Sequence, residues 1–176
     1  MGIGEQYELE KYGRIFERTY VIKEFKGKHR WLSNFFLSPF IHKGLKYKTV
    51  EHFYQANKPA IDVTFDIKTM DGSIVPMLQS EIIRKLDTPG KAKKMGRKVT
   101  LRSDWDYIKD DIMFLGLKLK FNQNNNLKYL LISTNNIVLQ EGNTWGDKYW
   151  GIDINTGKGK NMLGFLLMKV REEING

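Results

Sequence analysis

The 176-residue chain contains no cysteine. Disulfides, thiol nucleophiles and thiolate metal sites are therefore excluded, and the composition fits a reducing, cytoplasmic setting. Histidine is scarce: His29, His42 and His52 are the three present, and their spacing matches no metal-ligand pattern. No metal and no cofactor is expected. No apolar run approaches the length of a membrane span, and the polar start Met1-Gly-Ile-Gly-Glu-Gln is unlike a secretion signal. Internal repeats, a nucleophile elbow and a Walker A loop are also missing.

Hydrophobic residues make up 41% and aromatics 12%, enough for one well-formed core. Residues 1–17 are polar and without clear period, so they read as a flexible lead-in to a single domain over 18–176. The net charge is +9, from 29 basic and 20 acidic residues. Such an excess suits nucleic acid, an anionic ligand or a lysine-rich solvated surface.

The pattern along the chain reads as α+β, predominantly helical with a small sheet. Arg18–Phe25 alternates as a strand, and Ile41–Lys48 reads as a hairpin around His42-Lys43-Gly44. Thr49 can cap a helix that Pro59 ends. Residues 60–76 read as an irregular surface loop with a turn at Asp71-Gly72-Ser73. Helices are predicted over Ser80–Leu86, over Gly90–Val99 behind Thr88-Pro89, and from Ser103. In the last, Trp105, Ile108, Ile112, Leu115 and Leu119 recur at helical spacing. Asn126–Ser133 reads as helix, Ile137–Gln140 as strand, 142–160 as a glycine-rich loop, and Met162–Glu173 as a closing helix with Leu163, Leu166, Leu167 and Val170 inward.

Two segments stand out chemically. In Thr49–Lys58, a 3.6-residue turn puts Glu51, Gln55 and Lys58 on one face beside Tyr54. That face reads either as a ligand-holding surface or as a solvated helix side. In Gly146–Gly151, Asp147 lies among Trp145, Tyr149 and Trp150. Two carboxylates near aromatic rings suit glycosidic bond cleavage, in which an acid stabilises a cation-like sugar and a ring stacks on the leaving base. Trp105 offers a further stacking ring, although its place on an apolar stripe also fits core packing. The basic runs 91–98 and 157–164 read either as phosphate sites or as solvated surface.

Taken together, Trp31–Phe40, Thr49–Lys58, Thr88–Arg97, Asp104-Trp105 with Lys118–Phe121, Asp147–Gly151 and Lys158–Gly164 occur in an order that resembles the YbiA-like, or NADAR, superfamily over roughly 18–173. The resemblance implies an α+β fold and a cytoplasmic hydrolase acting on N-glycosidic bonds. The implied substrates are phosphoribosylated riboflavin intermediates or ADP-ribosylated guanine in nucleic acid. It also implies Glu51, Trp105 and Asp147 as the catalytic set. Ser33, Asn34 and Gln55 would then bond ribose hydroxyls or the base edge, while Lys58, Lys91, Arg97 and Lys158 neutralise phosphate. Trp150 would stack, and His52, Gly151 and Asn161 complete the expected substrate-binding set. The chain departs from the family pattern at 62–78, which is longer and more irregular, and at Trp145-Gly146, where polar residues are more typical. The alternative from another class is a non-catalytic module binding ADP-ribose or an NAD-like nucleotide.

Overall fold

Residues 20–61 and 63–176 are described by a computed structural model, and the expected lead-in over 1–17 lies outside them. In chain order the elements are β1 (Val21–Ile22), a 3-10 turn (Gly27–Leu32), β2 (Phe40–His42), β3 (Leu45–Tyr47), α1 (Val50–Ala56), β4 (Thr64–Lys68) and β5 (Ile74–Leu78). There follow α2 (Gln79–Lys85), α3 (Pro89–Gly96), α4 (Trp105–Gln123), α5 (Asn125–Ser133), β6 (Val138–Leu139), β7 (Gly142–Asn143), β8 (Ile152–Asp153) and α6 (Met162–Asn175). The architecture is α+β and predominantly helical. Instead of one small sheet, the described strands pair two by two: β1 with β6 and β7 with β8 in parallel, β2 with β3 and β4 with β5 antiparallel.

Helix α1 lies at the centre, and all seven of its residues are buried. It packs against α2, α3, α4 and β3. The β2–β3 hairpin turns through Lys43 (φ 48°) and Gly44 (φ 75°), the pair of positive φ angles that a tight two-residue hairpin requires. This places Phe40 and Tyr47 against Phe53 of α1. Helix α3 starts as predicted, with Thr88 Oγ1 accepting the Lys91 N–H at 3.2 Å and Pro89 in the first turn.

Two sequence expectations require correction. Residues 64–78 form the β4–β5 hairpin rather than an irregular loop, with Asp71-Gly72 in its turn. Only Phe65, Ile67, Thr69 and Met77 are half-buried there. Thr64–Lys68 alternates, but Ile74–Leu78 does not and carries Pro76, which hides the second strand. In α4, Trp105 is buried, but Ile108, Ile112, Leu115 and Leu119 are only partly so. The deeper line is Met113, Gly116, Leu117, Lys120 and Phe121. Helix α4 packs against α1, α5, α6 and β2 at once, and Gly116 admits the Phe53 ring where a side chain would press on it. The closing helix follows the prediction: Leu163, Leu166, Leu167 and Val170 are all buried.

Lys120 is a lysine at 0% exposure. Its ammonium donates to the Trp31 carbonyl at 2.6 Å and the Ser33 carbonyl at 3.0 Å, and it faces the Phe36 and Phe121 rings. The side chain thereby ties the aromatic segment after the 3-10 turn to α4. Burial pulls its pKa from 10.5 down to about 7, so between these values the unfolded chain holds the extra proton. Stability is therefore expected to rise with pH from about 7 towards 10. Lys120→Met removes that dependence and leaves two carbonyls without their donor, at a cost of about 1–3 kcal/mol. Urea midpoints at pH 7 and pH 9 check this; an equal rise in the variant contradicts it.

Candidate active site

Thr49 fixes the start of α1. Its Oγ1 accepts the His52 N–H at 3.2 Å and lies 2.8 Å from His52 Nδ1, while His52 Nε2 lies 3.1 Å from the Leu86 carbonyl. A carbonyl only accepts, so Nε2 carries the ring proton and Nδ1 takes the Thr49 hydroxyl proton. Burial holds the His52 pKa below its ordinary value, consistent with this neutral ring. His52, expected to bind substrate, is fully buried and instead clamps the helix to the segment after α2.

The residue before His52, Glu51, is only 5% exposed. Its backbone N–H donates to the Asn34 carbonyl at 3.1 Å, and its Oε1 accepts from Gln55 Nε2 at 2.7 Å. Burial raises the Glu51 pKa, while the Gln55 bond and the charges of Lys93, Lys58 and Arg97 oppose that rise. Lys58 Nζ stands 5.3 Å from the Tyr54 ring centre and 5.7 Å from that of Trp105. Burial lowers the Lys58 pKa, with Glu51 as the main opposing charge. The α1 face read from the sequence is thus largely buried and not a solvated helix side.

Glu51, Tyr54, Gln55 and Lys58 form one wall of a cleft of about 940 Å³, within the usual size of small-molecule sites. Ser33, Asn34 and Phe35 line it from the segment after the 3-10 turn, and Lys93 and Arg97 from α3 and its C-cap. The loop between β7 and β8 contributes Trp145, Asp147 and Trp150. Asn143 shapes that loop, because its Oδ1 accepts the Asp147 N–H at 3.0 Å and its Nδ2 donates to the Asp147 carbonyl at 2.7 Å. Asp147 Oδ1 in turn accepts the Tyr149 and Trp150 N–H groups at 3.2 and 2.9 Å. Tyr149 O–H donates to the Asp110 carboxylate on α4 at 2.8 Å, and the Trp150 ring meets Tyr54 edge-on at 5.5 Å.

Several expected residues fall elsewhere. Trp105 is buried behind Tyr54 and Lys58, edge-on to Tyr54 at 5.0 Å, and does not line the cleft. Lys91 sits on the exposed side of α3, paired with Asp87; it is six residues from Arg97, whereas Lys93 is four away and shares its face. Lys158 is exposed. Of the 157–164 run, Leu163 alone reaches the cleft. Gly151 is where a side chain would collide with the Glu141 carbonyl. Asn161, with φ 54°, accepts the Glu141 N–H on Oδ1 at 3.0 Å and donates Nδ2 to the Leu139 carbonyl at 2.9 Å. Both therefore shape the backbone around Glu141.

Glu141, Lys93, Lys26, Arg30 and Phe35 line the cleft without having been singled out in the sequence. For Lys93 the signal was present in the i, i+4 spacing to Arg97. Glu141 gave none, because its burial depends on the distant Asn161 and Gly151. Among the described residues, three buried side-chain oxygens accept no hydrogen bond: Asn34 Oδ1, Gln55 Oε1 and Glu141 Oε2. All three belong to cleft residues, where a ligand with donors would satisfy them. Among the described residues, no cluster of three or more His, Asp or Glu side chains is grouped to hold a metal ion. Nor is any helix among them long and apolar enough to cross a membrane.

A buried acid ringed by cations and aromatic rings, on this α+β frame, has the chemistry to hold a polar, anionic small molecule. The profile of the NADAR domain matches residues 20–175, and the chain belongs to this family. It is 37% identical over 144 residues to the N-glycosidase YbiA of Escherichia coli, spanning 81% of this chain and 79% of that protein. It is also 37% identical to the N-glycosidase Npun_R5314 of Nostoc punctiforme, over 72% of this chain and 73% of that one. The riboflavin biosynthesis protein VVA0006 of Vibrio vulnificus is 32% identical over 91% of this chain, but over only 40% of its own length. The NMR structure of E. coli YbiA superposes with a TM-score of 0.71 at 30% identity, covering 90% of each chain.

Gly96 of α3 abuts Gln55, and a side chain there would strike the Gln55 carboxamide. Gly96→Ala is therefore expected to destabilise the protein by about 1–3 kcal/mol through overpacking. In a Gln55→Ala background the same substitution should cost clearly less, because the two sites are coupled through one contact. Urea unfolding of the four proteins checks this; additive costs contradict it.

Proposed function

We propose that the protein is an N-glycosidase, a hydrolase that cleaves the bond between a base or amine and a phosphorylated ribose. The observation that carries this reading is Glu51, a carboxylate buried in the cleft, oriented by Gln55 and surrounded by Lys58, Lys93 and Arg97. As the C1–N bond breaks, its electron pair leaves with the nitrogen and the sugar becomes cation-like. Water oxygen then adds to C1. A fixed carboxylate stabilises the developing charge and takes the water's proton. Asp147 serves as the second acid at the sugar and spends one oxygen on the turn that aims Trp150.

The remaining cleft groups suit the remaining parts of such a substrate. Lys93 and Arg97 meet phosphate, with Arg30 and Lys26 further along the cleft. Asn34 and Gln55 offer their unpartnered oxygens to ribose hydroxyls or the base edge. Trp150 and Tyr54 wall the ring. Trp105 acts through Tyr54 and Lys58 as a positioning residue, since it stands behind both.

Two substrate sources fit in a cytoplasmic setting. Phosphoribosylated early intermediates of riboflavin synthesis are favoured by the names of the relatives. ADP-ribosylated guanine in nucleic acid is favoured by the number of cations along the cleft, which are enough for two phosphates. Incubation with both substrate types, reading released base, tests the activity. A rate on modified oligonucleotide that falls steeply with added salt supports the nucleic-acid substrate. A salt-insensitive rate, or cleavage of small intermediates alone, selects the metabolite.

Glu51→Gln should lower kcat by about a hundredfold or more while the melting temperature stays close to wild type. Activity within about threefold of wild type contradicts the role given to Glu51. Lys93→Ala and Arg97→Ala should raise KM about tenfold with little change in kcat, because phosphate contacts exist in the ground state too. Lys91→Ala should change neither constant.

A further inference from the structure

We propose that Glu141 is the general acid of this reaction, delivering its carboxyl proton to the base nitrogen as the C1–N bond breaks. The proposal rests on the N-glycosidase reading and adds the group which that reading lacks. Glu51, where three cations oppose the rise that burial imposes, is given the role of stabilising the sugar cation and taking the water's proton. A departing base nitrogen needs a proton of its own. Glu141 lines the same cleft, and its Oε2 is buried without any hydrogen-bond partner among the described residues.

Its backbone is held on both sides. The Glu141 N–H donates to Asn161 Oδ1 at 3.0 Å, and its carbonyl accepts the Ile152 N–H at 2.9 Å. The next residue, Gly142, donates its N–H to the Lys23 carbonyl at 3.1 Å. Gly142 and Gly151 both stand where any side chain would collide with neighbouring backbone. Asn161 adopts a left-handed backbone, which is costly for a residue other than glycine, and its two bonds go to Glu141 and to the Leu139 carbonyl. A carboxyl carried on so constrained a turn, with one oxygen unsatisfied in a cleft, is preorganised for a ligand donor or acceptor.

The surroundings favour the protonated form. Burial and the nearby Asp147 push the Glu141 pKa up to about 7, Glu24 acts in the same sense, and Lys26 and Lys93 oppose it. A carboxyl poised there still carries its proton near neutrality and releases it readily, which is the condition for an efficient acid. The step balances. The Glu141 proton passes to the nitrogen that takes the bonding pair, water oxygen adds to C1, and the water's proton goes to Glu51. Glu51 then loses that proton to solvent while Glu141 regains one, so the net change is consumption of one water.

The test is the pH profile of kcat and KM for wild type and Glu141→Gln on a phosphoribosylated aminopyrimidine, with thermal melts of both. The wild-type kcat is expected to fall above about pH 7. Glu141→Gln should be slower by about a hundredfold or more, lack that alkaline fall, and keep KM within about threefold. Should the Gln variant fail to melt cooperatively, Glu141→Asp takes its place, with a similar loss in kcat and a displaced alkaline limb expected. An active wild type together with a variant that keeps its kcat, or keeps the same alkaline limb, overturns the proposal and leaves the N-glycosidase reading standing. A wild type that releases no base at any pH overturns that reading, and this proposal with it.

Discussion

A short helix buried on every side is the constraint from which the rest follows. All seven residues of α1 lie within the protein, yet Glu51, His52 and Gln55 are polar, and burial of such groups is tolerated only when their bonds are met internally. Thr49 and the Leu86 carbonyl satisfy His52, Gln55 satisfies one Glu51 oxygen, and the Asn34 carbonyl takes the Glu51 N–H. Each partner belongs to α1 itself or to a neighbouring segment that must be in place. The helix is too short to be stable alone, so the surrounding α2, α3 and α4 and the β2–β3 hairpin are conditions of its existence. Gln55 Oε1 is left over, packed against Gly96 of α3.

The cleft then works by opposed charges held in one desolvated place. Burial raises the pKa of both Glu51 and Glu141; Lys93, Lys58 and Arg97 oppose that rise at Glu51, whereas the nearby Asp147 adds to it at Glu141. The two carboxyl groups thus share the effect of desolvation and differ in the charges that surround them. The aromatic series Trp105, Tyr54, Trp150 and Tyr149, in successive edge-to-face contact, ties α1 and α4 to the loop that carries Asp147. Tyr149 anchors that series on Asp110. Loop, helix and cations therefore form one unit.

Much of the frame was legible along the chain. The Thr49 and Thr88-Pro89 starts, the β2–β3 hairpin and the inward face of α6 all rest on local rules of capping, turn geometry and periodicity. The departures have physical causes. The β4–β5 hairpin was hidden because its second strand, Ile74–Leu78, lacks alternation and contains Pro76. The deep line of α4 ran through Lys120 because a lysine becomes a core residue only when carbonyls such as those of Trp31 and Ser33 are brought to it. Local pattern has no access to that meeting.

Within the site, Glu51, Gln55 and Lys58 were readable because a single helical turn relates them, and Asp147 and Trp150 because acid and rings crowd one short loop. Lys91 lies off the α3 face that Lys93 shares with Arg97, and Lys158 and Asn161 lie off the cleft, because which helix face and which loop path meet the cleft was not legible in the sequence. The amino-acid order by itself determined which residue types carry the chemistry, which helices and hairpins form, and the absence of any thiol route. Tertiary structure alone decided which charges share the cleft, that His52 and Trp105 stand behind it, and that Glu141 enters it. The physical reason is that desolvation and Coulomb interaction depend on distances through space, and those distances join residues, such as 51 and 93 or 141 and 161, that no local rule relates.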